Sequence, residues 1–138
     1  MTPEGQGCPD LAMQKPIQST IIIVDDDAQV LRSLCFLLET EGYYVLTFGS
    51  AVELLNRPHL PENACLVVDY RMPVMNGLDL LTHVRAKFPY VPALLITGHP
   101  DATIEPRAAD LGIKVVHKPH LDDGLLQAIR DTLAGSVG

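Results

Sequence analysis

Apolar residues along this chain fall into short continuous runs separated by segments of helical spacing. Thr20-Ile21-Ile22-Ile23-Val24, Tyr44 to Phe48, Ala64 to Val68, Ala93 to Ile96 and Lys114 to His117 are runs of strand length bounded by turn or charged residues. Runs of this kind read as strands buried on both faces, as in a parallel sheet. Between them, Val30, Leu31, Leu34, Cys35 and Leu38 recur at helical intervals, and Gly42 closes that segment as a C-terminal cap. Ser50-Ala51-Val52-Glu53 has the spacing of a capping box and opens a helix that stops before Pro58. Leu78, Leu81, Val84 and Phe88 mark a helix ending near Phe88-Pro89, and Leu125, Leu126, Ile129 and Leu133 mark a last one from about Asp122 to Leu133. The stretch from Thr97 to Gly112 is polar, and Pro106 within it should break or delay any helix there.

Five strands alternating with helices predict an α/β fold: a doubly wound parallel sheet with right-handed crossovers and helices on both faces. The 138 residues form one domain of ordinary core size. Residues 1–18, rich in Pro and Gly, read as a flexible N-terminal tail; 19–134 form the domain, and 135–138 a C-terminal tail or the start of a linker.

Composition narrows the chemistry. A net charge of −7 disfavours binding of a nucleic-acid backbone by this domain and suits a cation. Cys8, Cys35 and Cys65 lack metal-site spacing and read as core thiols in a reducing, cytoplasmic compartment. No apolar stretch approaches the ~20 residues a bilayer requires, so no membrane association is expected.

Because parallel strands point the same way, residues just after strands one, three, four and five share one edge of the sheet, where open α/β folds bind ligands. Asp25, Asp26, Asp69, Thr97 and Lys118 therefore converge. Three clustered carboxylates repel one another and would each tend to hold a proton, a conflict that a divalent cation resolves. Oxygen donors without a His or Cys cluster suit Mg²⁺ rather than zinc. Lys118 supplies a point charge and Thr97 a hydroxyl for phosphoryl oxygens. Singly, each residue also has a plain structural explanation: Asp25 to Asp27 as an acidic helix N-terminus, Thr97 as a turn residue, Lys118 as a solvated loop lysine. Their joint occurrence at successive strand ends favours the site.

These residues carry a resemblance. Ile22-Ile23-Val24-Asp25-Asp26, then Asp69-Tyr70-Arg71-Met72-Pro73-Val74-Met75-Asn76-Gly77, then Ile96-Thr97-Gly98 and Lys118-Pro119 resemble the receiver domain of two-component response regulators over about residues 19–134. The resemblance implies a flavodoxin-like sheet of order 2-1-3-4-5. It implies that Asp69 takes a phosphoryl group from a histidine kinase or phosphotransfer protein, catalysing its own phosphorylation and dephosphorylation. Asp26, Asp69 and the Arg71 main-chain carbonyl would hold Mg²⁺, with Asp25 reaching the ion mainly through water. Thr97 and Lys118 would bind the phosphoryl oxygens, and Arg71, Gly98 and His99 would flank the mouth, where Arg71 and His99 would affect phosphoryl lifetime. Lys118-Pro119 would be a cis peptide. A phosphorylation-dependent dimer is allowed.

The chain departs from that pattern where receivers usually carry an aromatic residue three positions before the lysine and here stands Val115; His120 also replaces an apolar aromatic. With no ring to switch, the segment from about Gly98 to Gly112 is the expected moving part. A receiver belonging to a longer transcription factor is the alternative within the family. A haloacid-dehalogenase-like phosphohydrolase would use Asp25 to Asp27 as paired acids but leaves Asp69 without a role. A flavodoxin-like cofactor module would need a phosphate loop where this chain has three aspartates.

Overall fold

Alternation along the strands sorts their side chains into two cores, one on each side of the sheet. A computed structural model describes residues 19–98, 101–118 and 123–135. In chain order the elements are β1 (Thr20–Val24), α1 (Ala28–Thr40), β2 (Tyr44–Phe48), α2 (Ala51–Leu55), β3 (Ala64–Asp69), α3 (Gly77–Lys87), β4 (Ala93–Thr97), α4 (Ile104–Asp110), β5 (Lys114–His117) and α5 (Asp123–Gly135). The strands form one parallel sheet in the order β2-β1-β3-β4-β5.

Ile22, Val24, Leu66, Val68 and Leu95 face α2, α3 and α4, where Leu54, Leu78, Leu81, Val84, Ile104 and Ala108 meet them. Ile21, Ile23, Cys65, Val67, Leu94 and Ile96 face α1 and α5, whose Leu34, Leu38, Leu125 and Ile129 complete the other core. β3 is central and buried along its whole length. Its carboxylate is therefore delivered from the least yielding part of the molecule.

The capping signals act as their chemistry dictates. Ser50 Oγ accepts from the Glu53 N–H at 3.2 Å, and Gly42, at φ +96, occupies the left-handed position just past α1. Two expectations need correction. Pro106 does not break a helix: it lies in the first turn of α4, where its missing N–H is one of those that lack an intrahelical partner anyway. The helix is held by burial of Ile104 and Ala108 rather than by a cap, since Thr103 turns its hydroxyl to Asp101 Oδ1 at 2.8 Å. Cys65 is a core thiol as expected, but Cys35 is only partly buried on α1. Among the described residues, no helix is long and apolar enough to cross a membrane.

Candidate phosphoacceptor and metal site

Sheet register sets the site. Val24 pairs with Val68, Asp69 with Ile96, and Thr97 with His117, so Asp25, Asp69, Thr97 and Lys118 come level at the C-terminal edge. The three consecutive aspartates have three different fates. Asp25 is buried and its Oδ1 accepts the Asp27 N–H at 2.9 Å. Asp26 is exposed. Asp27 is the N-cap of α1, accepting from the N–H groups of Gln29 at 2.9 Å and Val30 at 3.4 Å. Of the three, Asp27 is the one whose side chain caps α1.

Asp25, Asp26 and Asp69 each bring a carboxylate oxygen to within 4.8 Å of the others. Lys118 Nζ stands 3.2 Å from Asp69 Oδ1, and the Lys118 N–H donates to the Thr97 carbonyl at 2.9 Å. Thr97 is buried and Lys118 half-buried. Burial raises the Asp69 carboxyl above its ordinary range, against the lowering effects of Lys118 and the Arg71 N–H. Burial likewise pushes Asp25 up to about 6, with the Asp69 and Asp26 charges adding to the rise and the Asp27 N–H and Lys118 opposing it.

This has a consequence for stability. A carboxyl whose folded pKa lies above its unfolded one binds its proton more tightly when folded, so its contribution is lost as pH rises from about 4 to about 6. In metal-free buffer, Asp25→Asn, which keeps the acceptor for the Asp27 N–H, should be more stable than wild type at pH 7 by up to about 3 kcal/mol. The gap should close by pH 4, and denaturant melts at the two pH values check this. A gap independent of pH would show that burial does not penalise the Asp25 charge.

The loop after Asp69 is fixed at both ends. Tyr70 N–H donates to the Ile96 carbonyl and Gly77 N–H to the Tyr70 carbonyl, both at 2.8 Å, and Asn76 Oδ1 caps α3 by accepting from the Asp79 N–H at 2.9 Å. Asp26, Tyr70, Arg71, Met72, Pro73 and Asn76 line an open cavity of about 400 Å³ beside the carboxylates. Arg71 and Gly98 are exposed at this edge. His99, Pro119 and His120 lie outside the described residues, as does Cys8. The lining by Tyr70, Met72 and Asn76 was not foreseen from sequence. For Asn76 a signal existed, an Asn three residues before Asp79 at the start of a periodic segment.

A doubly wound sheet that gathers three carboxylates, a threonine and a lysine at one edge defines the class of receiver modules in signalling proteins. The chain belongs to the response regulator receiver domain family, whose model matches residues 21–130. It is 36% identical over 126 residues to Nodulation protein W of Bradyrhizobium diazoefficiens, covering 91% of this chain and 54% of that protein. It is 34% identical over 123 residues to Transcriptional regulatory protein FixJ of Azorhizobium caulinodans, covering 88% and 58%. The chain thus spans little more than half the length of these relatives. Among solved structures, that of FixJ-N superposes with a TM-score of 0.79 at 32% identity, covering 86% of this chain and 96% of that one. Full-length FixJ from B. japonicum gives 0.79 at 34% identity, covering 88% and 60%. The protein is a two-component receiver domain similar to these regulators.

Proposed function

We propose that Asp69 is the phosphoacceptor, taking a phosphoryl group from a phosphohistidine on a sensor histidine kinase or phosphotransfer protein. The observation that carries this reading is the 3.2 Å pairing of Lys118 Nζ with Asp69 Oδ1 at the buried end of the central strand. An Asp69 oxygen attacks phosphorus in line, the phosphorus–nitrogen bond breaks, and its electron pair remains on the imidazole nitrogen. The Lys118 ammonium stabilises charge on the phosphoryl oxygens, and the Thr97 hydroxyl donates to another of them.

Mg²⁺ fits this donor set. The ligands are hard oxygens, and burial, with the Asp69 and Asp26 charges adding to it, raises Asp25 to about 6. Asp25, Asp26, Asp69 and the Arg71 carbonyl would hold the ion, which would supply positive charge against the phosphoryl oxygens. Acetyl phosphate with Mg²⁺ should therefore add one phosphoryl group per chain, and EDTA should abolish labelling. Mg²⁺ should also raise the melting temperature, more so in Asp25→Ala than in Asp26→Ala, since Asp26 is the closer ligand in this reading. Labelling that is indifferent to EDTA would sink the metal assignment.

Arg71, exposed at the mouth, and His99, which lies outside the described residues, are proposed to tune phosphoryl lifetime, and residues 19–134 to be the receiver unit. A place within a longer transcription regulator is a second reading. It is supported by the FixJ relatives, which are described as transcriptional regulatory proteins and of which this chain spans little more than half. The complete open reading frame tests it.

A further inference from the structure

The sheet has two edge strands, and they differ in chemistry. β5 carries exposed Lys114 and His117, groups of the kind that keep an edge from pairing with another chain. β2, Tyr44-Val45-Leu46-Thr47-Phe48, carries no charge and, among the described residues, pairs only with β1. The Tyr44 N–H donates to the Ser19 carbonyl, and the Phe48 carbonyl accepts from the Asp25 N–H. Tyr44, Leu46 and Phe48 therefore turn their main-chain groups toward β1, and by alternation Val45 and Thr47 turn theirs outward.

Apolar side chains flank this open edge on both faces of the sheet. On one face, Leu31, Arg32, Cys35, Phe36 and Glu39 of α1 form with Thr47 a groove of about 340 Å³, and the Phe36 ring is 75% exposed. On the other, Tyr44 is 62% exposed and shares its face with Leu46 and Phe48. Single exposed apolar residues are ordinary, but these border one unpaired strand. The charges add a direction. Arg32 and Glu39 lie about two turns apart on the groove side of α1, and among the described residues neither has an ion-pair partner. Such an arrangement complements itself across a two-fold axis, where the arginine of each copy meets the glutamate of the other.

We propose that β2 and α1 form the interface of a symmetric dimer, in which β2 pairs antiparallel with the β2 of a second copy. Centred on Leu46, this pairing sets Val45 of each chain opposite the partner's Thr47, where the outward N–H and carbonyl groups bond to one another. Tyr44 then lies opposite the partner's Phe48, an aromatic cross-strand pair. On the other face, α1 runs antiparallel beside the partner's α1, Phe36 is covered, and Arg32 faces the partner's Glu39. The two carboxylate edges point in opposite directions and both stay open. The dimer therefore neither requires a phosphoryl group nor blocks its transfer.

The test is the molar mass of the full chain by light scattering over a concentration series, in reducing buffer without a phosphodonor. The wild-type mass should rise toward twice that of one chain. Arg32→Glu sets like charges against each other at two symmetry-related points and should weaken the dimer about tenfold, as should Glu39→Arg. Combining the two restores opposite charges and should restore the wild-type curve. Thr47→Pro removes an outward donor while sparing the bonds to β1, and should give monomers. Circular dichroism checks folding, and the charge variants, which alter only the surface of α1, carry the test should Thr47→Pro not fold. A wild type that stays monomeric, single reversals that dimerise as well as wild type, or a double variant that stays monomeric would each overturn the proposal. A wild type that dimerises only once residues 1–17 are removed would assign the edge to the chain's own N-terminal segment and overturn it too. So would dimers that no variant affects, which would use another face.

Discussion

Asp69→Asn should remain folded and take up no phosphoryl group from acetyl phosphate under conditions that label the wild type stoichiometrically. The amide matches the carboxylate in size but has no oxygen nucleophile, so attack on phosphorus has no route through this side chain. Nor should folding suffer. Burial already disfavours the Asp69 charge, and Asn removes that charge while leaving an oxygen near Lys118 Nζ. Intact-mass measurement reads the labelling and a thermal melt reads the fold. Equal labelling of variant and wild type would remove Asp69 from the reaction. A variant that fails to melt cooperatively would show that the Lys118 pair holds the fold together.

Gly77→Ala should be the most damaging conservative change in the loop. A Cβ at Gly77 would lie 2.6 Å from the Asp69 carbonyl oxygen, 2.7 Å from Leu95 Cδ1 and 3.0 Å from Tyr70 Cα. Two of these three neighbours are backbone of the central strand and its exit, held by the Tyr70 to Ile96 and Gly77 to Tyr70 hydrogen bonds. The clash is relieved only by moving α3 away from the strand or displacing Asp69. Overpacking of this kind costs about 2–3 kcal/mol. For a domain of this size that corresponds to a melting temperature lower by roughly 10 °C. Phosphorylation by acetyl phosphate should slow as well, because Asp69 moves relative to Lys118. Gly98→Ala is the control: its Cβ would meet only the flexible Lys118 side chain, at 3.4 Å from Cδ. Melts of Gly77→Ala and Gly98→Ala that agree within error would refute the packing argument.

The sequence by itself determined the five strands, most of the helices and the edge at which chemistry collects. Those features follow from local periodicity and from punctuation such as Ser50, Gly42 and Pro89, and the parallel topology carries strand ends to a common edge. Alone, Asp69 reads as an ordinary strand-end loop aspartate; it is singled out by its convergence with Asp25, Asp26, Thr97 and Lys118 at one edge and by the motif running on to Gly77. What sequence left ambiguous was decided by contacts between distant segments. Asp25, Asp26 and Asp27 are chemically identical in the chain. Only the packing of β1 against β3, and the position at which α1 begins, buries the first, exposes the second and makes a cap of the third. Pro106 reads as a breaker until burial of Ile104 and Ala108 fixes where α4 starts, which puts the proline in a turn that does not need its N–H. Gly77 stands in the motif that carries the resemblance, but the reason position 77 needs glycine, and the exposure of a strained valine at 74, are not readable from sequence. Both depend on how closely the Asp69 loop lies against β4 and α3, a distance set by tertiary packing and not by the residues' own preferences.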